Sequence, residues 1–270
     1  VGIGIAEISH AYGAVDLMDK VYETPETDSA GVGYWCMLGW GATGWNGNGI
    51  PTGPCAYNRM LMNCIGINNV NLTDIYGIHQ GIRVKDVGEP DAKIYRLWLS
   101  QDEYFLIEHR NNEGSLFYDT PLPKSGLLIW HVNERESNST EDKKLCDLEC
   151  PDGMFLDAGY PNGKFPDPLN GKDNLDFWAH DRQYMLAHAG NLGDATDVYD
   201  GIVYTSFGVK TNPNTNSETN NFQTGIEIYN IRRVGNEMLF DCFIPPIPDK
   251  HPIKAPAAGL AYQRSNGVGL

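Results

Sequence analysis

Residues 6–19 read Ala6-Glu7-Ile8-Ser9-His10-Ala11-Tyr12-Gly13-Ala14-Val15-Asp16-Leu17-Met18-Asp19. The spacing is that of a zinc-binding helix of the H-E-x-x-H type. In that pattern two histidines one helical turn apart hold the metal, and the glutamate between them serves as general base. Glu7, His10, Gly13 and Asp16 stand at the motif positions, with Asp16 as the ligand that follows the glycine. Ala6 stands where the first ligand belongs, and a methyl group has no donor atom. The surrounding residues, 1 to about 20, predict one amphipathic helix broken around Gly13.

Outward from this run, residues 30–55 are rich in glycine and aromatics, which predicts tight turns packed by aromatic side chains. Trp35, Trp40 and Trp45 lie in this stretch. Together on the surface they would make a carbohydrate platform, but their glycine-rich setting favours core packing beneath the helix. A second helix is expected over Ala56 to Cys64. From about residue 75 the period changes: Ile94–Leu99, Glu103–Glu108 and Ser125–Val132 read as strands. Gly225–Ile231 and Glu237–Phe243, around a Gly235-Asn236 turn, read as a β-hairpin. Residues 136–200 are irregular, and the Pro/Gly/Ala-rich residues 245–270 read as a linker or tail. The class expected is α+β.

The chain has 270 residues, 41% of them hydrophobic, enough to bury one large domain or two smaller ones. Its net charge of -15 argues against a nucleic-acid partner, because phosphate binding needs Lys/Arg patches. No run is long and apolar enough to predict a membrane span. Six cysteines (Cys36, Cys55, Cys64, Cys146, Cys150 and Cys242) lack C-x-x-C spacing, which disfavours a structural zinc site. Cys146 with Cys150, and Cys55 with Cys64, are close enough in sequence to close small loops. With the sequons at Asn71 and Asn138, they point to an oxidising compartment and a secreted, extracellular or periplasmic protein. The motif begins five residues after Val1, where a strand-rich subdomain normally precedes such a helix, so a processed product or fragment is expected.

The residues then support a resemblance. Glu7, His10, Gly13 and Asp16-Leu17-Met18-Asp19 resemble the H-E-x-x-H-x-x-G-x-x-D motif and acidic stretch of the immune inhibitor A family of secreted, metzincin-like metallopeptidases. Gly33-Tyr34-Trp35-Cys36-Met37-Leu38-Gly39 is similar to the family's glycine-tryptophan run ending in its methionine turn, with Met37 and Leu38 in exchanged order. Glu103–Arg110 and Pro123–Val132 are similar to two further family segments, in family order. The resemblance implies the C-terminal half of a metallopeptidase domain over residues 1–75, a β-rich, sandwich-like domain over 76–244 and a tail over 245–270. It also implies a partner: a protein or peptide substrate, an extracellular protein, or the absent N-terminal half, supplied by another chain.

Three readings of the site follow. In the first, the chain is a degenerate relative kept for binding or assembly. In the second, it is an active zinc endopeptidase, with Glu7 as base, His10 and Asp16 as ligands and a third ligand from His79, His109, His131, His180 or His188. In the third, Ala6 is an engineered or misassigned residue in a natively active enzyme. Three protein ligands plus water are usual for catalytic zinc, so Ala6 favours the first. A second candidate is a calcium loop made by Asp167, Asp173, Asp176, Asp194, Asp197 and Asp200, set against a plain reading as Asx turns.

Overall fold

In the computed structural model the described residues are 1–18, 31–65, 71–114, 116–139, 144–151, 192–211, 213–219 and 222–246. Two strands at the centre fix the architecture. β4 (Glu103–Arg110) and β5 (Gly126–Asn133) pair antiparallel over their whole length, from Glu103 opposite Asn133 to Arg110 opposite Gly126. Every residue of both strands is buried. Successive side chains on a strand point to opposite faces, so a strand buried throughout must be covered on both. Tyr104, Leu106, Leu128, Trp130 and Val132 enter one hydrophobic core, while Phe105, Ile107, Leu127 and Ile129 enter a second.

The central sheet has five strands in the order β1-β3-β4-β5-β6, with β1 (Leu72–Asp74), β3 (Ile94–Trp98) and β6 (Cys146–Leu148). Only the β1–β3 pair is parallel. A second, antiparallel sheet, β2-β8-β7, is formed by β2 (Gly77–Val84), β7 (Glu227–Val234) and β8 (Glu237–Ile244), and it supplies the second core. The β7–β8 hairpin turns at Gly235, whose φ of +62° suits a tight turn. Both strands flanking β8 are irregular, between His79 and Ile82 and between Tyr229 and Arg232. The two bulges share one anchor: Asp241 accepts from the Gly81 amide at 2.7 Å and from Asn230 Nδ2 at 2.8 Å.

The N-terminal residues form the layer on the other face. α1 (Gly2–His10) abuts the short turn Trp40–Thr43, where a Cβ at Gly2 would collide with the Ala42 carbonyl. Trp35 and Trp45 are buried edge to face, with ring centroids 4.8 Å apart, as the glycine-rich setting suggested, whereas Trp40 is exposed. α2 (Ala56–Leu61) docks on the sheet through Glu108, which accepts from the Ala56 amide at 3.2 Å and from Trp130 Nε1 at 2.9 Å. Arg110 pairs with Asp119 and also donates to the Trp35 carbonyl at 3.4 Å, tying β4 to this layer.

The class is mixed helix and strand, dominated by two sheets. The position expected to divide two domains, between residues 75 and 76, falls between β1 and β2, and the first core joins residues from both sides of it. The helix expected over residues 1 to about 20 and broken around Gly13 ends at His10, ahead of that break, with residues 19 and 20 outside the described residues, and the one expected to end at Cys64 ends at Leu61. In this structure each of the six cysteines stands as a free thiol. Cys55 precedes α2 and is buried, while Cys64 follows it and is exposed. An intervening helix of six residues already spans about 9 Å, beyond the roughly 7 Å limit for the Cα atoms of a disulfide. No helix among the described residues is long and apolar enough to cross a membrane. Residues 247–270 lie outside the described residues.

Candidate metal centre

Helix α1 ends in a way that brings His10 and Asp16 together. The Gly13 amide donates to the His10 carbonyl at 3.0 Å and the Ala14 amide to the Ser9 carbonyl at 3.1 Å. These two bonds form a Schellman motif, with Gly13 as the left-handed residue past the helix end, at φ +95°. Glycine has no Cβ to clash in that conformation. The chain reverses there, and Asp16 Oδ1 comes 3.2 Å from His10 Nε2. The glycine of the motif therefore has a local mechanical reason: it turns the third-ligand position back onto the helix.

The other ring nitrogen fixes the orientation of His10. Nδ1 lies 2.9 Å from the Ala14 carbonyl, which only accepts, so Nδ1 carries the proton. Nε2 is left facing a carboxylate oxygen, and that contact needs a proton or a cation between the two atoms. Two donors on a tetrahedral zinc, each about 2.0–2.2 Å from the metal, lie about 3.3–3.6 Å apart. The His10–Asp16 separation of 3.2 Å is that of an ion pair and falls just short of the zinc range.

The Asp16 segment is held from both sides. The Val15 amide donates to Asn58 Oδ1 at 2.8 Å, and Asn58 Nδ2 donates to the Val15 carbonyl at 3.1 Å. The Leu17 amide donates to the Leu38 carbonyl at 2.7 Å. Met37 and Leu38 are both buried in the first core. Asn58 escapes sequence reading because nothing in a short, mixed-spacing helix marks a buried asparagine; its role appears only when α2 is docked.

The third donor is missing. Ala6 is buried in the first core and offers a methyl group, and Glu7 lies on the exposed side of α1. The described histidines that could substitute lie on strands of the two sheets, His79 on β2, His109 on β4 and His131 on β5. His79 Nε2 lies 2.7 Å from the Tyr76 carbonyl, His109 is buried on β4, and His131 sits between Glu103 and Glu149. His180 and His188 lie outside the described residues. Among the described residues no group of three His, Cys, Asp or Glu side chains is placed to hold a metal. The donor set of His10 and Asp16 does not fit a catalytic zinc, which takes three protein ligands.

The described aspartates of the candidate calcium loop accept from amides of the loop and from two distant side chains, Trp35 and Lys124. Asp200 Oδ1 accepts from the amides of Ile202, Val203 and Tyr204, and Lys124 reaches Oδ2 at 2.7 Å. Burial raises the Asp200 pKa, but Lys124 and the three amides outweigh it and hold the carboxyl below its ordinary value. Asp197 Oδ2 accepts from Trp35 Nε1 and from the Asp194 amide, both at 2.7 Å, and Asp194 Oδ1 accepts from the Thr196 amide at 2.6 Å. Asp167, Asp173 and Asp176 lie outside the described residues.

A buried charged cluster went unnoticed in sequence. His131 Nε2 is 2.9 Å from Glu103 Oε1, and its Nδ1 is 3.0 Å from Glu149 Oε1 and 3.7 Å from Glu218 Oε1. Burial disfavours the imidazolium, but Glu218, Glu103 and Glu149 outweigh it and hold the His131 pKa well above its usual value. Burial likewise opposes ionisation of Glu103. His131, the Ser217 hydroxyl and the Glu218 amide outweigh it and bring the carboxyl down to about 2. The only hint in sequence is Glu103 at the head of the apolar run Tyr104–Ile107 and His131 within the apolar run Leu127–Val132.

Compared with known proteins, the chain matches no family model, no curated protein and no solved structure.

Proposed function

We propose that this chain is a metallopeptidase-type protein of the immune inhibitor A kind that has lost catalysis and serves binding or assembly outside the cell. One observation carries the reading. The Gly13 turn still brings His10 and Asp16 to 3.2 Å, while Ala6 supplies no donor to complete the set. A turn that serves only to end a helix has no need to bring a histidine and an aspartate together. A binding role is supported by the apolar side chains that α1 and its end present to solvent, Ile3, Ile8 and Tyr12, each more than 60% exposed. Calcium, drawn by the acidic loops, is proposed only as a structural ion.

The test is metal analysis of the purified chain together with a casein digest. The expected result is zinc well below one equivalent and no cleavage. One equivalent of zinc, with casein cleavage abolished by Glu7→Gln, overturns the reading in favour of an active zinc endopeptidase. Zinc binding by Ala6→His, read by calorimetry, is expected to be at least about tenfold tighter than by the parent chain. No gain would mean that the pair is not a metal-ligand remnant.

A further inference from the structure

Cys36 Sγ is a hub of the N-terminal layer. It accepts from the Cys55 amide at 3.3 Å, from the Leu38 amide at 3.4 Å and from Asn58 Nδ2 at 3.7 Å. The first contact puts the Cys55 Cα no more than about 4.8 Å from Cys36 Sγ, given the N–Cα bond length. The two thiols are themselves in hydrogen-bond reach, and both residues are fully buried. We propose that Cys36 and Cys55 join in a disulfide as the chain folds in an oxidising compartment, and that the bond braces the segment carrying Asp16.

The brace follows from what lies next to each cysteine. Leu38, two residues after Cys36, accepts the Leu17 amide, and Asn58, three residues after Cys55, grips both backbone groups of Val15. Joining Cys36 to Cys55 locks together the two clamps on either side of Asp16. The bond does not depend on any metal chemistry at His10.

Timing follows from burial, which pushes both thiols well above their ordinary pKa. The thiolate is the attacking species, so the folded thiols are slow to react and the bond forms before the core closes. The oxidant is a small-molecule disulfide such as oxidised glutathione. One cysteine thiolate attacks it and releases a glutathione thiolate. The other cysteine thiolate then attacks the mixed disulfide, forming the Cys36–Cys55 bond and releasing the second glutathione. Two protons and two electrons leave the protein, and one glutathione disulfide becomes two thiols. The Cys146 thiol is also in reach of Cys55 and is the competing partner.

The test uses the full chain refolded in reduced and oxidised glutathione. Free thiols are alkylated in denaturant, and the non-reduced digest is read by mass spectrometry. The expected product is a peptide pair joining Cys36 to Cys55, with Cys64, Cys146, Cys150 and Cys242 alkylated. Alkylation of Cys36 and Cys55, or a link from either to another cysteine, overturns the bond. The brace is read by hydrogen exchange at the Leu17 amide, expected to be about tenfold slower in the oxidised chain than in the reduced one. Equal rates overturn the brace.

Discussion

Asn58 grips Val15 by both of its backbone groups, donating to the carbonyl and accepting from the amide, from a position of complete burial on α2. An Asn58→Ala change takes the partner from both the amide and the carbonyl of half-buried Val15. Each such loss costs about 1–3 kcal/mol. The expected result is a fall of about 2–4 kcal/mol in unfolding free energy by chemical denaturation, with faster hydrogen exchange at Val15 and Leu17. Unchanged exchange at those two amides would show that the clamp is not what holds the segment.

Gly13 has a φ of +95°, which a residue with a Cβ adopts only under strain. Gly13→Ala is expected to cost about 1–2 kcal/mol, read as a drop in the denaturation midpoint. An exposed alanine elsewhere in a helix normally stabilises against glycine, so the sign separates a structural turn from a merely tolerated glycine.

The His131 cluster makes stability depend on pH in a defined direction. His131 keeps its proton when folded at pH values where the unfolded chain has lost it, so its contribution is full below about 6.5 and fades as the pH rises above that. Glu103, held at about 2, contributes fully above its unfolded value of 4.5 and loses that contribution as the pH falls towards 2. His109 acts oppositely to His131: burial, then the charge of Arg233, brings it down to about 4, so it costs stability as the pH falls from 6.5 to 4. In His131→Gln, denaturation between pH 6.5 and 8.5 is expected to show a flatter alkaline decline than the parent. Parallel declines would mean that the cluster does not carry the dependence.

Trp35 joins two distant parts of the chain through a 2.7 Å bond from its indole N–H to Asp197, 162 positions away. Trp35→Phe keeps an aromatic ring against Trp45 but removes the donor to a buried carboxylate. The expected loss is about 1.5–3 kcal/mol by chemical denaturation, and Trp35→Phe combined with Asp197→Asn is expected to lose less than the sum.

Much of the sheet scaffold was legible in the residues. β3, β4, β5 and the β7–β8 hairpin lie within a residue or three of where periodicity put them, because their apolar runs are long and their turns carry glycine. β2 was missed: it is a largely exposed edge strand interrupted at Gly81, so its apolar residues are few and out of phase. β1 and β6 have three residues each, too few for a period to show. At the candidate site, the spacing of His10, Gly13 and Asp16 foretold their meeting, since the turn that joins them is local. Asn58 and the Glu103–His131–Glu149 contacts did not show, because they join residues brought together only by the docking of separate elements.

β4 and β5 act as a wall with no outside. Damage to either core strips cover from the same eight-residue strands that support the other, so neither layer can melt and leave an intact remnant. Among the described residues, no seam parts the two cores. The stretch that holds Ala6, His10 and Asp16 shares its fate with the hairpin at the far end of the sequence, and a single cooperative transition is the thermal signature of that arrangement.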